Sequence, residues 1–160
     1  MKFLSEVYKK NNILDDIFID KFSSIDKDMF RKNKIELLVE IGELANETKC
    51  FKYWTKKEAN RDLVLEEYAD CIIMTLCLYN YYHMELNDIE YNRINDINDI
   101  FAKLYQLASS VYFTDNNEEL EEVLFYLINL ADLLNITKEE IVEASLKKIE
   151  LDTKRMLGEY

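Results

Sequence analysis

The chain has 160 residues, a formal net charge of −12, two glycines and no proline. Strands and hairpins depend on turn residues that this chain lacks, so the composition argues for an all-α fold and against a β-rich one. Such acidity also argues against a general nucleic-acid binder or a protein of anionic membrane surfaces. The length fits a single domain, residues 1–160, with its own hydrophobic core.

The sequence carries no sign of export or membrane insertion. The longest uncharged run, residues 71–84, is shorter than the roughly 20 apolar residues that span a bilayer. The first residues lack the apolar region of a secretory signal. Cys50, Cys71 and Cys77 are odd in number and form no CxxC pair, which is typical of reduced thiols inside cells. We therefore expect a cytoplasmic protein with no nucleic-acid or membrane partner.

Hydrophobic residues recur with a spacing near 3.6 and predict six helices. Their expected ranges in chain order are 3–22, 27 or 33 to 50, 56 or 61 to 82, 88 or 95 to 112, 118–134 and 138–157. Asp26 and Thr137 are expected N-caps, and Thr137 can form a capping box with Glu140. The sequence thus predicts a bundle of about six helices.

The second predicted helix carries a strip of glutamates. At about 100° per residue, Glu36, Glu40, Glu43 and Glu47 fall within one narrow strip. Like charges at i,i+4 repel by roughly 0.2–0.5 kcal/mol per pair, and no Lys or Arg lies on that strip to relieve them. The strip therefore needs a cation from elsewhere in the molecule or from solution.

The third predicted helix adds Glu67 and Asp70 on a segment that is apolar nearly all round and is expected to be buried. Carboxylates in such a setting must be paired, protonated or bound to metal. If the two helices fold back antiparallel about the turn at 50–60, Glu40 and Glu43 lie level with Glu67 and Asp70. Oxygen ligands alone predict Mg²⁺, with Mn²⁺ possible.

Other interpretations of the acids are a solvated helix face with two buried, paired carboxylates, or a ferritin-like di-iron site. The di-iron site requires two Glu-x-x-His motifs, and His83 is the only histidine. The apolar setting of Glu67 and Asp70, and the lack of a basic partner in the strip, favour a metal site.

The turn after the second helix reads Phe51-Lys52-Tyr53-Trp54 and is followed by Lys56. Its aromatic residues either plug the core or stack on a base beside lysines that hold phosphates. On the last helix, Lys148, Asp152 and Arg155 share a face at i, i+4 and i+7. From the residues alone, we interpret these three as two surface ion pairs worth ~0.3–0.5 kcal/mol each.

The motifs ExxE at 40–43 and ExxD at 67–70, with the Phe-Lys-Tyr-Trp turn between them, resemble the all-α dimeric dUTP pyrophosphatases. Those enzymes are relatives of the MazG-type nucleotide pyrophosphohydrolases. The resemblance implies that the metal ligands are Glu40, Glu43, Glu67 and Asp70. It also places the turn in the substrate site and implies a homodimer.

The resemblance covers most of the chain but is incomplete at the base and sugar contacts. Asn11 stands where the family has a glutamine that contacts uracil. In the C-terminal nucleotide motif, Ser145 replaces a tyrosine, Asp152 an asparagine and Met156 a glutamine. The candidate substrate-binding residues are Asn11, Trp54, Lys56, Lys148, Asp152 and Arg155.

The expected reaction is hydrolysis of dUTP to dUMP and pyrophosphate by a metal-activated water that attacks phosphorus in line. Glu40 and Glu43 are the candidate catalytic residues, since one glutamate should orient or deprotonate that water. The alternatives are the same chemistry on another nucleoside triphosphate, or a catalytically idle helical partner-binding protein on the same scaffold.

A homodimer is also expected from the aromatic content, because a small bundle takes few aromatic rings inside and tyrosine suits half-wet interfaces. The residues concerned are Tyr79, Tyr81, Tyr82, Phe101, Tyr105, Tyr112, Phe113, Phe125 and Tyr126.

Overall fold

The structure is a computed structural model that describes residues 1–22, 27–111 and 117–158. These residues contain six α-helices, a short 3-10 helix (Lys2–Leu4) and no strand. The helices are α1 (Ser5–Phe22), α2 (Lys27–Thr48), α3 (Arg61–Tyr81), α4 (Ile97–Ser110), α5 (Glu118–Leu133) and α6 (Lys138–Leu157). The predicted all-α fold is confirmed.

Side-chain caps fix where the helices begin. The Asn60 side chain accepts a hydrogen bond from the Asp62 amide, 3.0 Å away, and so starts α3. Thr55, the alternative start, accepts instead from the Lys57 amide within the turn. The capping box of Thr137 and Glu140 forms at α6 as predicted. The expected cap Asp26 lies outside the described residues.

Helices α2 and α3 run antiparallel. Asn33, near the start of α2, donates to the Cys77 sulfur near the end of α3, 3.3 Å away. Glu40, further along α2, lies beside Glu67 and Asp70 in the first half of α3. The sequence predicted this arrangement, and it brings the two acidic motifs together.

The other helices enclose this pair. Helix α5 is tied to α3 by the Tyr68 hydroxyl, which donates to the Leu127 carbonyl at 2.7 Å. Helix α4 pairs with α5 and also crosses α2 at Gly42. A Cβ added at Gly42 would lie 2.8 Å from the Tyr105 hydroxyl, so the glycine permits this close crossing. Helices α1 and α6 pack against each other and against α3.

Within the described part of the chain, no helix has the length and apolar character needed to cross a membrane.

Candidate metal centre

Three carboxylates from α2 and α3 converge. Glu40, Glu67 and Asp70 each offer an oxygen that lies within 4.8 Å of the other two, and all three side chains are half-buried. Oxygens around one Mg²⁺ lie about 2.9–4.1 Å apart when the metal–oxygen distance is about 2.05 Å. A small movement of the side chains would therefore let the three residues share one cation.

The packing of the two helices explains this convergence. Leu37, Ile41 and Leu44 point into the core with no exposed surface, and Glu40 lies at the edge of that stripe. Helix α3 is buried over most of its circumference, and its acids at positions 67 and 70 are half-buried. The apolar contact between the helices thus fixes where the charges lie.

Mutual repulsion and burial disfavour the ionised form of the carboxylates in this cluster. Burial raises the pKa of Glu40 to about 7, and the charges of Asp70, Glu43 and Glu67 add to the shift. Burial likewise raises the pKa of Glu67 to about 7, with Glu43 and Asp70 contributing. Both carboxyls therefore hold a proton more readily than an exposed glutamate does, and a divalent cation would relieve the same repulsion.

One basic side chain from α6 reaches the cluster. The Lys148 ammonium lies 2.8 Å from Asp70 Oδ2, and the two side chains are only 19% and 14% exposed. Burial raises the pKa of Asp70, although the hydrogen bond from Lys148 opposes the shift. The sequence placed Lys148 in a surface pair with Asp152, whereas Lys148 pairs with Asp70 in the structure.

Glu43 and Asp152 lie at the margins of the cluster. Glu43 is exposed and is not one of the three converging residues, but its charge raises the pKa of both Glu40 and Glu67. The charge of Asp152 adds to the pKa shift of Asp70. Asp152 also accepts a hydrogen bond from Arg155 at 3.0 Å, so this predicted ion pair is present.

The aromatic turn does not plug the core. Tyr53 is 94% exposed and Trp54 is 64% exposed, and their rings meet edge to face with centroids 5.1 Å apart. Lys56 is exposed as well. The end of α2 lies ~12 Å beyond Glu40 at 1.5 Å per residue, so Trp54 and Lys56 are not among the residues that the structure gathers at the carboxylates.

Asn11 lies in the core between α1 and α3. It has no exposed surface, and its amide nitrogen donates to the Ile73 carbonyl at 3.4 Å. Its amide oxygen is buried without a hydrogen-bond partner. Ile73 follows Asp70 on α3, so Asn11 and Trp54 lie on opposite sides of the carboxylates along that helix.

A groove of about 600 Å³ separates part of α3 from α6. Its lining includes Glu66, Lys147 and Lys148 but none of the three converging carboxylates. Lys148 therefore stands between the groove and the acidic cluster.

Sequence reasoning missed the contact between Lys148 and Asp70. A signal for it exists, because Ile141, Ser145 and Ile149 recur at i, i+4 and i+8 and are buried. Lys148 directly precedes Ile149, so it lies at the edge of a core-facing stripe and not on an exposed helix face.

The fold and this set of oxygen ligands define an all-α protein with a candidate site for a hard divalent cation. The family model described as dUTPase matches residues 3–160, so the chain belongs to the all-α dUTPase family. No curated protein matches the chain in sequence. Membership implies a nucleotide substrate and a divalent metal, and the oxygen-only cluster fits such a metal.

The raised pKa values of Glu40 and Glu67 predict how stability without metal depends on pH. Because about 7 exceeds the unfolded value of 4.5, the folded state binds more protons between these pH values. The stabilisation is fully present below about pH 4.5 and is lost as pH rises through 7. In EDTA, we expect the melting temperature to fall between pH 5 and pH 8.

Glu67→Gln should flatten this pH dependence and raise the melting temperature at pH 8 by about 2–4 °C. Such a rise corresponds to ~1 kcal/mol in a chain of this size, with allowance for solvent screening. Glu85→Gln changes an exposed glutamate beyond the end of α3; it is the control and should keep the wild-type slope. Circular dichroism melts in which Glu67→Gln and wild type show the same slope would contradict the prediction.

Proposed function

We propose that this protein hydrolyses dUTP to dUMP and pyrophosphate with Mg²⁺ or Mn²⁺ at Glu40, Glu67 and Asp70. One observation carries the proposal: three carboxylate oxygens from two antiparallel helices lie within 4.8 Å of one another in a member of the dUTPase family. A metal site requires such a convergence of like charges, whereas a structural network pairs its buried charges with one another.

The position of each residue suggests its role in the proposed reaction. Bound cations would neutralise phosphate oxygens and supply a water of lowered pKa. Glu40, Glu67 and Asp70 would hold those cations. Glu43 is exposed beside them and would accept the proton of the attacking water. Arg155, oriented by Asp152, would contact the nucleotide.

Asn11 supports selection of uracil over cytosine. Its amide nitrogen is engaged by Ile73, which leaves the oxygen as an acceptor. Uracil presents an N–H donor at N3, whereas cytosine presents an acceptor there. If cytosine N3 took that place, this buried oxygen would face a second acceptor and lose its hydrogen bond, and such a loss is what discriminates between substrates.

The base must reach Asn11, which has no exposed surface. Uracil can therefore contact it only if α1 and α3 separate locally. The same observation favours a second candidate function, pyrophosphohydrolysis of another nucleoside triphosphate, in which Asn11 stays in the core.

Trp54 and Lys56 remain proposed substrate contacts on the far side of the metal site. Asn11 and Trp54 lie in opposite directions from Asp70 along α3. One nucleotide can therefore contact both only if its base extends to one side of the cations and the end of its phosphate chain to the other. We assign the base to the Asn11 side and the phosphate tail to Lys56.

A pyrophosphate-release assay with Mg²⁺ tests the activity on dUTP, dCTP, dTTP and UTP. We expect dUTP to be the best substrate. Glu67→Gln should lower the rate of dUTP hydrolysis by at least about 10–100-fold, which is the loss of activity seen when a group that supports a metal ligand is removed. Glu66→Gln should stay active. Equal turnover of dUTP, dCTP and dTTP would leave the second candidate function, and no metal-dependent turnover would contradict both.

The aromatic residues that suggested a dimer lie mostly inside the protomer. Tyr79, Phe101, Phe125 and Tyr126 are buried. Tyr81 and Tyr82 are half-buried, and Tyr112 and Phe113 lie outside the described residues. The aromatic count therefore no longer argues for an interface.

A different surface supports the homodimer. Ile35 is 59% exposed and Val39 is 50% exposed at i and i+4 on α2. Tyr105, 39% exposed, covers Gly42 at the next position of that face. We propose that this α2–α4 strip packs against a second copy of the chain, since large exposed apolar side chains in a row favour an interface.

Light scattering at micromolar concentration should give twice the 19.2 kDa of one chain. Val39→Lys places a charge in the strip and should shift the mass to that of a monomer. Ile13→Lys changes an equally exposed isoleucine on α1 and should leave the dimer intact. A wild-type mass of 19.2 kDa would contradict the dimer.

We also propose that the chain is one catalytic domain of the cytoplasm. The buried apolar residues of the described ranges form one core cluster. All three cysteines are free thiols, as is usual for proteins of reducing compartments. Detection of the protein with a disulfide in cell extracts would contradict this location.

A further inference from the structure

Lys148 binds Asp70, a carboxylate for which a divalent cation would compete. Its ammonium lies 2.8 Å from Asp70 Oδ2, and the ligand oxygen of Asp70 lies within 4.8 Å of those of Glu40 and Glu67. Both partners of the ion pair are largely shielded from solvent. A fixed positive charge therefore lies within a few ångströms of the place where the three carboxylates would hold a cation.

Two cations cannot share this place without strong repulsion. Their separation would be well below the ~8 Å over which physiological salt screens charges, and partial burial weakens screening by water. A lysine ammonium stands on a flexible four-carbon stem, and Lys148 borders the groove between α3 and α6. The lysine can therefore swing away from Asp70 while its α-carbon stays in place.

We infer that Lys148 is a resident counter-ion which a divalent cation must displace from Asp70, so that the binding of metal and of polyphosphate are coupled. The inference rests on the metal site proposed above. Displacement costs the ammonium its hydrogen bond to Asp70 and so lowers metal affinity when no anion is present. A polyphosphate held by the metal offers the displaced ammonium a new partner, and by linkage the metal and the anion then strengthen each other's binding equally.

Titration calorimetry with Mn²⁺ alone tests the first half of the inference. Lys148→Met keeps most of the side-chain stem and removes the charge, and it should bind Mn²⁺ about tenfold more tightly than wild type, within the usual range of coupling between sites. Lys147→Met is the matched control, because Lys147 is an exposed neighbour in the same groove. It should bind Mn²⁺ as wild type does.

The second half is tested by repeating the titration with saturating inorganic pyrophosphate. Pyrophosphate should raise the Mn²⁺ affinity of wild type and of Lys147→Met severalfold more than that of Lys148→Met. Equal Mn²⁺ affinities for wild type and Lys148→Met, or an equal effect of pyrophosphate on both, would overturn the inference and leave the metal site standing. No Mn²⁺ binding by any of the three proteins would contradict the metal site itself.

A measurement on the wild-type protein covers the case in which Lys148→Met does not fold. Lysine labelled with ¹³C at Cε gives an NMR signal for Lys148, assigned by its loss in Lys148→Arg. Addition of Mg²⁺ should shift this signal and leave that of Lys147 nearly unchanged. A Lys148 signal that does not respond to saturating Mg²⁺ would overturn the inference.

Discussion

The packing of α2 against α3 determines where the acidic cluster lies. Leu37, Ile41 and Leu44 are fully buried, and burial of a side chain of this size contributes roughly 1.5–3 kcal/mol. The carboxylates that meet there can relieve their repulsion by taking up a proton or a cation, as the raised pKa values of Glu40 and Glu67 indicate. Apolar packing therefore wins, and it holds Glu40 beside two acids of α3 although their charges oppose it.

The remaining helices complete the surroundings of this acidic cluster. Gly42 lets α4 cross α2 closely, and Ile35 and Val39 on α2 are exposed apolar side chains. Helix α6 brings Lys148 to Asp70 and Asp152 to the margin of the cluster. Helix α1 buries Asn11 behind α3 with one unpaired oxygen. The residues proposed for cation binding and for base selection thus lie on different helices, and α1, α2 and α6 all pack against α3.

Features that depend on nearby residues were predictable. The absence of proline and the hydrophobic spacing predicted the all-α fold, and Thr137 with Glu140 predicted the start of α6. Glu40, Glu67 and Asp70 could be brought together because one turn joins their helices. The contact of Lys148 with Asp70 spans 78 positions, and a lysine stem can reach several partners. The exposure of Trp54 could not be predicted for another reason. A turn has no helical periodicity from which to infer which side chains point inward.

We propose that the packing of α2 on α3 builds a cation site, and anomalous diffraction from crystals soaked in Mn²⁺ tests this proposal. We expect an anomalous peak about 2–2.3 Å from oxygens of Glu40, Glu67 and Asp70. A map in which these three side chains are well ordered and no anomalous peak lies among them would contradict the cation site.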